Sequence, residues 1–212
     1  MGLLSSTRSI GVIGSIMIIL LIFPGIGALL AIVGWVLVLV ATHQLSNMVC
    51  ARGIFNNALI AAVLGAVGVV ALTAVAVSSV LSFLSTNGMS LGSLVRTNRT
   101  SLVTSSLHGF GPLAIGVITG LALLWVFLIA SAFFLRRSYN EIAGKFSVKM
   151  FSTAALVYLI GAALTIVGVG LLVVFIAEIL QAIAFYSLPD VLPGQAERPV
   201  PMTVPPPPPQ QF

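Results

Sequence analysis

Four apolar blocks, residues 10–42, 54–84, 113–135 and 150–188, take up most of the chain and carry almost no charge. A helix needs about 20 apolar residues to cross ~30 Å of hydrocarbon, so every block is long enough to span a membrane. Composition agrees, with 59% of residues apolar and 6% charged, where a soluble domain carries about 25% charged residues. Nine Lys/Arg and four Asp/Glu cannot wet the surface of a 212-residue globule. The expected fold class is all-α, an integral membrane helical bundle.

The first and last blocks are too long for one span each, and Gly and Pro interrupt both. The breaks are Phe23-Pro24-Gly25-Ile26-Gly27 and Val167-Gly168-Val169-Gly170. Gly and Pro are the strongest punctuation in a helical pattern. Splitting there predicts about six transmembrane helices, arranged as two tight helical hairpins flanking two single spans. Lys and Arg concentrate in cytoplasmic loops, and the bases test the count. Six spans with a cytoplasmic N-terminus put Arg8, Arg52, Arg136, Arg137, Lys145, Lys149 and Arg198 inside and only Arg96 and Arg99 outside. Four long spans divide the same bases four against five, with no bias. Both termini are therefore expected on the cytoplasmic side of the plasma membrane. Arg8 and the apolar run after it mimic a signal peptide, but a second span-length run resumes at Ala28. An uncleaved hairpin is the expectation. Superposing Gly25 on Gly168 also aligns Gly27 with Gly170 and Leu37 with Leu180, a weak sign of a repeated hairpin.

Outside the spans, residues 85–109 read as a Ser/Thr-rich external loop. Asn98-Arg99-Thr100 within it fits the N-glycosylation acceptor pattern. Residues 136–149 read as the main internal loop, with bases that anchor topology. A second internal loop near residues 47–57 carries Cys50. Two domains follow: a transmembrane bundle over residues 1–188 and a proline-rich cytoplasmic tail over residues 189–212. The tail ends in Pro205-Pro206-Pro207-Pro208-Pro209. Such a run favours extended polyproline II without a core, so the tail is expected to be disordered or to dock on a partner.

Chemistry inside the membrane is sparse. Glu178 is the one ionisable group within a span, and such groups are functional candidates by default. Gln181 lies three residues on, along the same helical face. Thr165, in the preceding span, is a third candidate that hairpin packing would bring close. Small residues let helices approach where lipid offers no hydrophobic drive. The G-x-x-x-G of Gly116 and Gly120, and Gly65 in the third span, are the candidate packing positions. Trp35 and Trp125 fall in mid-span as packing residues, whereas Tyr139 and Tyr186 fit an interfacial belt. One cysteine, with His43 and His108 far apart, offers no metal-ligand spacing, so no metal or cofactor is expected. Neither H-E-x-x-H, nor G-x-x-x-x-G-K-[ST], nor G-x-S-x-G occurs. The bases flank apolar segments without forming a patch, which argues against nucleic acid.

Several stretches carry a family likeness: the opening hairpin around Phe23-Pro24-Gly25-Ile26-Gly27, the run Gly53-Ile54-Phe55-Asn56-Asn57-Ala58-Leu59, and Asn140-Glu141-Ile142-Ala143-Gly144-Lys145. Phe151-Ser152-Thr153-Ala154 and Ala184-Phe185-Tyr186-Ser187 extend it. The chain resembles an archaeal family of multi-pass membrane proteins known as domain of unknown function 996, from about residue 4 to 188. The resemblance implies an archaeal plasma membrane and brings no activity or functional residues. The expected function is non-enzymatic: a membrane scaffold, assembly or interaction protein. Its expected partners are the lipid bilayer, a second copy or another membrane protein, and a partner for the tail. The alternative is a small transporter or channel subunit using Glu178 and Gln181.

Overall fold

A backbone in hydrocarbon must satisfy its own hydrogen bonds, and a helix does so within one segment. The computed structural model describes residues 3–23, 26–86 and 110–189, and among them no strand occurs. Among the described residues six α-helices form: α1 (Leu3–Ile19), α2 (Ile26–Met48), α3 (Arg52–Thr86), α4 (Phe110–Phe146), α5 (Lys149–Leu164) and α6 (Gly170–Tyr186). Four segments among the described residues are long and apolar enough to cross a membrane: α2, α3, α4, and α5 with its short 3-10 extension. Each helix packs on its neighbours in sequence, and α1 closes against α6. The result is a ring of six.

Both breaks seen in the sequence are reversals. After α1 a 3-10 turn, Leu20–Ile22, tightens the chain, and Gly27 N–H bonds to the Phe23 carbonyl. After α5 a second 3-10 turn, Thr165–Val167, leads to Gly168 at φ +83°, a conformation that favours glycine. Gly27 and Gly170 play one role in the two hairpins. Each opens the second helix where a Cβ would strike backbone of the chain just before it. The two central helices, expected as single spans, pair most extensively of all and make a third hairpin. On α3, Ile54, Ala58, Ala61, Gly65 and Gly68 recur at alternating spacings of four and three residues. On α4, Leu128, Ser131, Leu135, Ser138 and Ile142 do the same. That periodicity is the seam of a left-handed helix pair. Ser131 Oγ donates to the Ala61 carbonyl at 2.7 Å, and Ser138 Oγ to the Ile54 carbonyl at 2.7 Å.

The internal loops expected over residues 136–149 and 47–57 are mostly helix. α4 continues to Phe146 and leaves only Ser147 and Val148 as a link, while residues 49–51 join α2 to α3. The apolar block ends at Leu135, but Tyr139, Ile142 and Phe146 keep a helical apolar stripe facing inward. With Leu45, Ile54, Phe151 and Phe185 they build the main core, which therefore lies at the end carrying the charges.

Candidate functional site

The inward stripe of α6 is Ala177, Glu178, Gln181, Ala184 and Phe185, all buried. Its two polar members thus point where a membrane helix would ordinarily place alanine or leucine. Gln181 uses both ends of its amide. Its Oε1 accepts from the Tyr139 hydroxyl at 2.7 Å, and its Nε2 donates to Ser15 Oγ at 3.0 Å. Ser15 Oγ in turn donates to the Gly11 carbonyl at 3.0 Å. This chain ties α4, α6 and α1 together across the ring.

Glu178 has no such tie. Its Oε2 is buried without a hydrogen-bond partner. Beside it is a cavity of about 20 Å³, to whose wall every helix of the ring contributes. Ile18 comes from α1, Thr42 from α2, Ala58 from α3, Tyr139 from α4 and Tyr158 from α5, with Glu178 itself on α6. The cavity lies on the ring's axis. Its volume suffices for about one water molecule, and a stable water needs two to four polar partners. Thr42 supplies a hydroxyl that already donates to the Val38 and Leu39 carbonyls, at 3.0 and 2.9 Å, but can still accept. The cavity is level with Leu135 and Tyr139. Arg136 and Arg137 begin the charged part of α4 there. Glu178 is thus mid-helix by count but near the charged end of the bundle by depth.

Thr165 is elsewhere. It lies in the α5–α6 turn, donates to the Gly161 carbonyl at 2.8 Å, and faces a separate notch with Ile166 and Trp125. Hairpin packing does not bring it to Glu178, because the turn is at the opposite end of the bundle from the core. A Cβ on Gly116 would collide with Ser79 of α3, and one on Gly120 would lie 3.0 Å from Leu72 Cδ1. Gly65 is looser, with Ser131 Oγ at 3.6 Å from such a Cβ. All three face helices of the same chain. Asn98 and the tail from residue 190 lie outside the described residues. Cys50 is exposed in the α2–α3 link. Among the described residues no group of three or more His, Cys, Asp or Glu gathers to hold a metal.

Sequence reasoning missed Tyr139, Tyr158, Ser15 and Thr42 as members of the site. Tyr139 is 1% exposed, because the stripe of α4 turns it inward to the core rather than outward to lipid headgroups. Tyr186 is exposed, with the Arg8 guanidinium 4.2 Å above its ring. Trp125 donates from Nε1 to the Ala163 carbonyl at 3.2 Å, and Trp35 lines the central cavity.

Residues 30–179 match the family model described as protein of unknown function, DUF996. An uncharacterised protein of Methanocaldococcus jannaschii is 29% identical over 194 residues, covering 91% of this chain and 97% of that protein. No solved structure matches the chain.

Proposed function

Since this chain belongs to the DUF996 family of proteins of unknown function, kinship supplies no activity, and we propose one from the geometry: a non-enzymatic multi-pass protein of the plasma membrane that acts as a scaffold or assembly partner. Both termini lie on the cytoplasmic side, where the bases collect. One observation carries this reading. The polar side chains of the ring are spent on holding helices to one another, as in the Tyr139–Gln181–Ser15 chain. Polar groups used this way act as glue between membrane helices. The outward faces are apolar, with Ile26, Val70 and Leu172 each about two-thirds exposed. Such a surface suits lipid, a second copy or another membrane protein. The proline-rich tail is the soluble docking element of the same scaffold. Deleting residues 199–212 is expected to change the set of proteins that co-purifies with the full chain from membranes. An unaltered set removes the tail from the reading.

A second reading is favoured by the unpartnered Oε2 of Glu178 at an axial cavity. A small transporter or channel subunit would exchange a proton or monovalent cation there. Purified protein in liposomes would then give proton or sodium flux above protein-free vesicles, lost in Glu178→Gln. Equal flux in the wild-type protein and the variant dismisses this role for Glu178.

A further inference from the structure

The three hairpins differ in reach. Contacts along α3 and α4 fix their register: Ser138 meets the Ile54 carbonyl, Ser131 meets the Ala61 carbonyl, and Gly116 packs on Ser79. That register sets Asn57 level with Arg136 at the charged end, and Ser79 level with Gly116 at the other. Between these levels each helix has about 20 residues at ~1.5 Å per residue, close to the ~30 Å thickness of hydrocarbon. Above Ser79, α3 mixes Ser82, Ser85 and Thr86 with Val80, Leu81, Phe83 and Leu84 and ends polar. The long hairpin is thus long enough to cross one bilayer and extend beyond it.

The short hairpins stop earlier. Trp35 lies beside Gly65, and His43 stacks edge-on with Phe55 at 4.7 Å, so Ile26 is level with about residue 73 of α3. Trp125 bonds to the Ala163 carbonyl, which sets the second turn level with about residue 121 of α4. Both turns fall about five residues, or ~7 Å, below the far boundary. Their chemistry suits that depth. Phe23, Ile26, Ile166, Val167 and Val169 are 55–70% exposed, and the described turn residues include no ionisable side chain. An aqueous loop would leave this apolar surface in water. Among the described turn residues part of the backbone is bonded locally: Phe23 N–H to the Leu20 carbonyl, Gly168 N–H to that of Thr165, and the Leu172 and Val173 N–H groups to that of Val169. Irregular backbone needs such bonds to survive in hydrocarbon. Over the second turn, α4 rises as a wall, and a notch of about 240 Å³ opens between Ile118, Leu121, Trp125 and Leu128 on one side and Thr165 and Ile166 on the other.

We propose that the α1–α2 and α5–α6 hairpins are re-entrant: they enter from the basic side and reverse inside the opposite leaflet, where lipid acyl chains cover their turns and fill the notch. Only α3 and α4 complete the crossing. The distribution of bases fits this as well as six spans, because the turns carry no charge. The test uses the full chain with Cys50→Gly, which suits the left-handed backbone at that position, in diphytanoyl phosphatidylcholine vesicles. Single cysteines replace Phe23, Ile26, Ile166 or Val169, giving two sites per turn should one variant fold poorly. Ser85→Cys, on the emerging part of α3, is the reference. Membrane-impermeant maleimide is supplied on both faces, and nitroxides at the same sites report collision with oxygen and with a water-soluble nickel chelate. The expected result is labelling at the turns more than about tenfold slower than at residue 85, since the reaction needs a thiolate in water, together with strong oxygen and weak nickel collision. Labelling at the Ser85→Cys rate would place the turns in water and overturn the proposal. Protection from maleimide and oxygen alike would mean that protein, such as a second copy, covers them, which overturns it too.

Discussion

Tyr139 meets two demands with one side chain. Its ring packs edge-on against Phe151 at 5.5 Å, and its hydroxyl reaches Gln181 on a helix 42 residues away. Removing the hydroxyl keeps the packing and strands the buried Gln181 oxygen. Tyr139→Phe is therefore expected to destabilise the bundle by about 1 kcal/mol, within the range of hydrogen bonds between membrane helices. Unfolding by sodium dodecyl sulfate in mixed micelles reads this directly, and an unmoved midpoint would mean the bond has no net worth. Glu178 and Gln181 were legible in the sequence because a polar residue in an apolar run is conspicuous. Tyr139 was not. It follows two arginines just past an apolar block, a setting typical of an interface, and only the rotation of α4 turns it inward.

At the scale of elements, the breaks between α1 and α2 and between α5 and α6 could be read from Pro and Gly. The pairing of α3 with α4 rests on small residues at heptad spacing, a subtler pattern in a chain so rich in Ala, Val and Gly. The extension of α4 to Phe146 was hidden because hydropathy ends where charges begin, whereas helical structure does not. The first hairpin depends on close approach. A Cβ on Gly34 would lie 2.5 Å from the Gly14 carbonyl oxygen, and one on Gly14 would lie 2.9 Å from the Gly34 oxygen. Gly34→Leu is expected to separate α1 from α2 and cost about 1–3 kcal/mol, as overpacking does in tight interfaces. Val36→Leu, at an exposed position on the same helix, should change little. Equal midpoints for the two variants in the same unfolding assay would contradict the close contact.

For the whole molecule, the charges of the described residues collect at one end, and the apolar turns and the overhang of the long hairpin lie at the other. If the short hairpins are re-entrant as proposed, their pairing with one long hairpin is expected to make stability depend on bilayer thickness. Thicker hydrocarbon leaves more lipid unsupported above the turns, at a cost of fractions of a kcal/mol per Å of mismatch. Resistance to unfolding is expected to fall as acyl chains lengthen from 14 to about 22 carbons, measured in bilayers of uniform chain length. A rise across that series would mean that all six helices match a thick membrane equally.

The sequence by itself determined the helical membrane class, the two reversals and the grouping of bases, because each follows from local composition and from the need of a buried backbone to bond to itself. Only the tertiary structure decided that the six helices close into a ring, that Glu178 faces its axis near the charged end, and that Thr165 does not join it. Those facts depend on helix rotation and register, which are set by which small faces interlock. In a chain where nearly every face is apolar, hydrophobicity cannot distinguish inside from outside, and shape has to.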